Sequence, residues 1–280
     1  MKLGTLLRLR AVCDADKSFK KLADMCFHTC QLVYKPQEYG IEDAVVIKAA
    51  AEKYGIEMAA QFCGFYDTAT VWDNYEGFKT SGLNVEPYAK SRFDYVCAAA
   101  EFACAAGIED IVVHGGFVPN NPFSEEYLAH VDTVKRLCRH LKKLGMNLLL
   151  ETGGESSVAL LRLIEDTGAD NLFVNLDPAN MLMYGYANPV DALYTVGKYV
   201  RCIHGKDGVP PTETKKLGDE KRVGEGMVDF PKMFAKLYEL GYDRYVIIER
   251  EIAGDEQIAD IVHAKRYFEN VLTQVGYTVE

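Results

Sequence analysis

A chain of 280 residues, 49% hydrophobic and 26% charged, has ordinary globular composition and is long enough for one large barrel or two small domains. Its 31 Lys and Arg against 41 Asp and Glu give a net charge of −10, a field that repels phosphate backbones and anionic membranes and argues against a dedicated nucleic-acid binder. Charges interrupt the apolar run from Met1 to Arg10, unlike a secretory signal, and no later stretch reaches the roughly 20 apolar residues of a membrane helix, so a cytoplasmic protein is expected.

Short apolar, β-prone runs bounded by Gly, Asn or Asp predict strands near 3–9, 28–34, 56–63, 109–114, 146–151, 171–177, 199–204 and 244–249. Amphipathic stretches between them predict helices over 18–25, 41–53, 87–106, 124–144, 156–166, 189–196, 231–240 and 256–275. Gly145, Gly168 and Gly241 follow three of the helical runs, where a left-handed C-cap suits glycine. Eight strands in strict alternation with helices is the number that closes a barrel. Runs such as Ile111-Val112-Val113 and Tyr245-Val246-Ile247-Ile248 are apolar on both faces, as barrel strands under a helical coat must be. An open doubly wound sheet would give similar runs, but no GxGxxG turn or P-loop follows any strand. The expectation is a single-domain (β/α)8 TIM barrel over residues 1–280. The eight cysteines carry no CxxC pair and are expected as reduced structural thiols.

Four successive strands end in a metal-competent side chain: Leu150-Glu151, Leu176-Asp177, Ile203-His204 and Ile248-Glu249. They are 26, 27 and 45 positions apart, the last gap widened by a loop over 205–229. A barrel brings all four ends to one face. Three carboxylates crowded there repel one another and raise one another's pKa, which a divalent cation offsets. One imidazole with three carboxylates is an oxygen-rich set that suits Mn2+ first, with Mg2+, Co2+ or Zn2+ as alternatives. Glu249 and Glu251 share side-chain parity, and position directly after Val246-Ile247-Ile248 favours Glu249, leaving Glu251 to an ion pair at the rim.

The segment Asn147 to Glu251 resembles the xylose isomerase-like TIM barrels, the sugar phosphate isomerases and epimerases that include ketose 3-epimerases and endonuclease IV. The carriers are Glu151-Thr152-Gly153-Gly154-Glu155, Asn175-Leu176-Asp177-Pro178-Ala179-Asn180, His204-Gly205-Lys206-Asp207, Gly224-Glu225-Gly226-Met227-Val228-Asp229-Phe230 and Ile248-Glu249-Arg250-Glu251. The resemblance implies that Glu151, Asp177, His204 and Glu249 bind the metal. It also implies that Glu151 and Glu249 exchange the substrate proton from opposite faces, with Asp177 and His204 as ligands only. Where several relatives have a histidine after the aspartate, this chain has Asn180, which argues against the multinuclear site of endonuclease IV.

Further candidates for substrate contact are His114, Lys206, Glu155, Arg222 and Asn180. His114 ends Val112-Val113-His114-Gly115-Gly116, where the glycines leave room for a ligand; a satisfied core histidine is the other reading. Lys206 shares parity with His204 and is expected one step nearer solvent, either reaching a substrate oxygen or paired with Asp207 or Glu225. The segment 66–86, with Tyr66 and Trp72, is either a wall of the pocket or a structural loop.

The expected activity is that of a metal-dependent carbohydrate isomerase or epimerase. A cation gripping a carbonyl and the adjacent hydroxyl would acidify the neighbouring C–H and stabilise an enediolate. A lyase or dehydratase of a hydroxylated acid is the alternative; an endonuclease IV-like hydrolase or a noncatalytic sugar-binding subunit stands behind it. The partner is a small carbohydrate, with neither nucleic acid nor membrane. A homodimer is implied only by the resemblance.

Overall fold

The computed structural model describes residues 1–280. Eight parallel strands form the barrel wall: β1 (Lys2–Arg8), β2 (Thr29–Tyr34), β3 (Glu57–Cys63), β4 (Asp110–His114), β5 (Asn147–Glu151), β6 (Leu172–Leu176), β7 (Val200–Gly205) and, after a small hairpin of β8 (Asp207–Gly208) and β9 (Glu220–Lys221), β10 (Tyr245–Ile248). They close in the order β1-β10-β7-β6-β5-β4-β3-β2. Every strand expected from the sequence is present. Closure removes the sheet edges, and strand pleating sorts the side chains. Leu3, Leu7, Leu148 and Leu150 point outward into the large core under the helices, whereas Leu6, Val112, Leu149 and Ile247 fill the barrel interior.

The coat consists of α1 (Ala15–Asp24), α2 (Ala44–Lys53), α3 (Ala89–Ala106), α4 (Glu125–Lys143), α5 (Ser157–Thr167), α6 (Pro178–Tyr184), α7 (Pro189–Val196), α8 (Phe230–Glu239) and α9 (Asp255–Val275). Their starts follow from side chains that accept the free N–H groups of the first turn. Ser124 accepts from Tyr127 at 3.2 Å, Ser156 from Ala159 at 3.2 Å, and Asp229 from Lys232 at 3.1 Å. Gly145, Gly168 and Gly241 have φ of 73°, 63° and 74°, the left-handed stops expected of them. In α4, Val134, Leu137 and Leu141 are fully buried on one face. Leu137→Ala would leave a cavity there, at a cost of about 2–5 kcal/mol.

Two elements were not expected from the sequence, α6 and the hairpin β8–β9. Both lie at the C-terminal ends of β6 and β7, beside the four candidate ligands. The opposite end of the barrel carries an ion-paired cluster of side chains. Asp110, 2% exposed, accepts from Arg201 Nε at 2.8 Å and from Asn147 Nδ2 at 2.7 Å. All eight cysteines are free thiols, and no helix is long and apolar enough to cross a membrane.

Candidate metal centre

Glu151 is the last residue of β5, Asp177 follows β6, His204 lies in β7 and Glu249 follows β10. All four are buried: 5%, 0%, 0% and 7% exposed. One donor atom from each falls in a group whose members all lie within 4.8 Å of one another. His204 is the hub. Its Nδ1 is 2.9 Å from Glu151 Oε1, 3.0 Å from Glu249 Oε2 and 3.6 Å from Asp177 Oδ2.

Local structure aims each donor inward. Asp177 caps α6, with Oδ1 accepting the Asn180 N–H at 2.9 Å, and its own N–H donates to Thr152 Oγ1 at 2.8 Å. One oxygen is thereby used by the backbone, and Oδ2 is turned to the cluster. On the far side of the imidazole, His204 Nε2 lies 2.9 Å from Gln31 Oε1, a carbonyl from β2. That contact makes Nε2 the protonated nitrogen and leaves Nδ1 to face the carboxylates.

The donor set fits a divalent cation. Glu151 Oε2, Asp177 Oδ2, His204 Nδ1 and Glu249 Oε2 are all buried, and apart from one another, His114 and Lys206 they have no polar partner, an arrangement costly unless something positive lies between the carboxylates. Donors that share one small cation sit about 2.0–2.2 Å from it, so the observed grouping needs only a small contraction. In the protein alone a proton takes that role. Burial opposes it, but Glu249, Glu151 and Asp177 outweigh burial and hold the His204 pKa well above its ordinary value. For Glu249, burial acts upward, and Lys206, His204 and His114 together pull the carboxyl well below its usual range.

Lys206 departs from expectation. It is 1% exposed rather than at the solvent edge, because Glu251 folds over it at 2.5 Å. Its ammonium also lies 3.2 Å from Asn180 Oδ1, 3.5 Å from Glu249 Oε2 and 3.6 Å from Asp177 Oδ2. Glu251 itself is half exposed and outside the four-residue group. Neither expected rim partner touches Lys206. Glu225 turns to Arg222, and Asp207 is consumed by the backbone: Oδ1 accepts from Gly208 at 2.8 Å and Val228 at 3.1 Å, Oδ2 from Gly224 at 2.9 Å and Gly226 at 3.0 Å. A Cβ on Gly226 would stand 2.1 Å from Asp207 Oδ1, which is why that position of the loop is glycine.

His114 ends β4 with Nδ1 3.0 Å from Glu151 Oε2, and Trp72 covers its ring at 4.9 Å between centroids. The segment 66–86 thus reaches the mouth of the barrel. There His114, Glu151, Glu155, Phe117 and Tyr184 line one small cavity. Glu155, 4% exposed, accepts the Gly153 N–H at 3.2 Å. Burial pushes its pKa up to about 8. Arg222 is not brought to the cluster; its guanidinium is 3.0 Å from Asp260 on α9. Sequence reading missed Gln31, Thr152 and Asp207 in their supporting roles. Gln31 carried one signal, a polar residue in the apolar run 30–34.

Residues 19–271 match the family described as xylose isomerase-like TIM barrel. The chain belongs to that family. An inosose dehydratase of Geobacillus kaustophilus is 25% identical over 237 residues, 75% of this chain and 72% of that protein. The crystal structure of a xylose isomerase domain protein from Planctomyces limnophilus is 29% identical, with TM-score 0.88 over 98% of this chain and 97% of the other. A D-psicose 3-epimerase crystallised in the presence of D-fructose, 18% identical over 97% and 99% of the two chains with TM-score 0.72, shares the fold.

Proposed function

We propose that the chain is a divalent-metal-dependent isomerase or epimerase of a carbohydrate or related polyol. The observation that carries this reading is the set of four buried donor atoms, one from each of four neighbouring strand ends, turned toward one common point. Glu151, Asp177, His204 and Glu249 would hold the cation, Mn2+ by preference, with Mg2+, Co2+ and Zn2+ as alternatives. When bound, it would act as a Lewis acid toward substrate oxygens.

The chain's own groups do the rest. Glu151 and Glu249 flank His204 Nδ1 at nearly equal distances, so a substrate lying above His204 has a carboxylate on either side. One removes a proton from the carbon next to a carbonyl, and the other returns a proton to the opposite face. Gln31 orients His204, and Thr152 orients Asp177. His114 and Trp72 form the wall beside Glu151. Glu155, kept neutral by burial, donates a hydrogen bond to a sugar hydroxyl, and Lys206, itself enclosed by carboxylates, fixes Asn180 and Glu249 beside the substrate.

A dehydratase is the second reading, favoured by the relative named inosose dehydratase. The same proton abstraction would then be followed by departure of a neighbouring hydroxyl as water, with neutral Glu155 as the acid at hand. A panel of ketoses, aldoses and inososes offered to Mn2+-loaded protein separates the two. An epimer or isomer formed without nicotinamide cofactor, and lost on chelation, is expected; a dehydrated product replaces the first reading by the second, and no turnover with metal bound contradicts both.

A further inference from the structure

Alternation along β1 sends Leu6 into the barrel interior and Leu3, Leu7 and Leu9 outward, so Arg8 shares the inward face with Leu6. β1 lies beside β10 with Thr5 opposite Ile248, which puts Leu6 level with Glu249 and Arg8 two residues nearer the open mouth. At about 4.8 Å between strands and about 3.3 Å per residue, the Arg8 and Glu249 backbones are roughly 8 Å apart, within the reach of an arginine and a short polyol chain. On its other side Arg8 is opposite Val33 of β2, which brings no charge to the rim.

Several of the cations around this mouth are already committed. Lys206 is enclosed by Glu251, Glu249 and Asp177. Arg222 is held by Asp260, and Arg250 by Glu220 at 2.9 Å and Asp260 at 2.9 Å. Arg8 is exposed and has no carboxylate within ion-pair distance. It also borders a cleft between α1 and α9 whose polar lining includes Thr5, Ser18, Lys21 and Gln257, where Lys21 is likewise unpaired. Three ligand carboxylates and one divalent cation leave the centre with a single negative charge, so an anionic substrate would be repelled unless a guanidinium stood nearby to receive its charged end.

We infer that Arg8 is a specificity-determining residue that binds the anionic end, carboxylate or phosphate, of a substrate whose other end lies at the four-residue centre. This rests on the isomerase reading only for where the reacting end lies. Arginine suits both anions because its planar fork donates two parallel hydrogen bonds, which a lysine cannot do.

Calorimetric titration of Mn2+-loaded protein with D-ribulose, D-ribonate and D-ribulose 5-phosphate tests the assignment. At least one anionic probe is expected to bind roughly tenfold more tightly than ribulose, a preference that weakens at high ionic strength. Arg8→Gln should bring the anion-to-ribulose affinity ratio close to one, and Arg8→Lys should keep part of it. Which anion gains most identifies the carboxylate or the phosphate as the natural end. Equal binding of all three probes, no binding of either anion, or an anion preference that survives Arg8→Gln overturns the proposal. An Arg8-dependent preference without turnover of any sugar leaves Arg8 assigned and counts against the isomerase reading instead.

Discussion

Asp207→Ala should loosen the loop over 205–229 far more than a substitution outside the metal centre ordinarily would. The carboxylate is 1% exposed and accepts four backbone N–H groups, two on each oxygen. Gly208 and Val228 are buried, so their N–H groups would be left unsatisfied at about 1–3 kcal/mol each. Gly224 is exposed and Gly226 half-buried, so water replaces much of what those two N–H groups lose. The sum is about 3–5 kcal/mol, which for a domain of this size lowers Tm by roughly 10 °C. Asp207→Asn keeps Oδ1 toward Gly208 and Val228 but turns an amide donor toward two further donors, so about half of that loss is expected. Urea unfolding measures the stability, and limited proteolysis within 209–227 reports the loop. If Asp207→Ala unfolds within about 1 kcal/mol of the parent and gains no new cleavage site, the hydrogen-bond reasoning is refuted.

Gln31→Leu removes the acceptor that orients His204 Nε2, and Mn2+ affinity should fall about 10–100-fold with little change in fold, as read by metal titration and circular dichroism. Because His204 holds a proton well above its ordinary pKa, metal must displace that proton; apparent affinity should rise as pH is raised above neutrality, and a pH-independent affinity there would contradict the carboxylate cluster. Glu155, raised to about 8 by burial, binds a proton in the folded state that the unfolded chain has released. The resulting stability is complete below the unfolded pKa near 4.5 and is lost as pH rises through 8, by up to about 5 kcal/mol. Glu155→Gln cannot ionise, so urea unfolding at pH 6 and 9 should show a smaller decline for the variant than for the parent.

The barrel was legible because its grammar is local. Apolar runs of strand length, amphipathic helices and glycine stops recur in phase, and eight of them is the number that closes a parallel barrel. The four candidate ligands were legible for the same reason, since each directly ends such a run. What escaped notice depends on contacts distant in sequence. Gln31 meets His204 across the barrel interior, 173 positions away, and no pattern in the apolar run 30–34 names that partner. α6 is seven residues long, too short for helical periodicity to show beside the Asp177-Pro178 cap. Lys206 was expected at the rim because parity fixes only its direction; Glu251, two residues beyond Glu249, closes over it. Arg222 lies in the long loop after β7, and its charge is met by Asp260 from α9, a partner 38 positions away that no local pattern names.

The most direct measurement of the central claim is NMR of a turned-over sugar in D2O, using Mn2+-loaded protein alongside Glu151→Gln and Glu249→Gln variants. Glutamine still offers an oxygen to the metal, so metal content is measured in each sample to separate a lost proton carrier from a lost cation. Proton transfer through Glu151 and Glu249 predicts solvent deuterium at the carbon next to the carbonyl in the product, and turnover crippled in both variants while metal remains bound. Conversion without label by the parent, or unimpaired labelling in both variants, would contradict it.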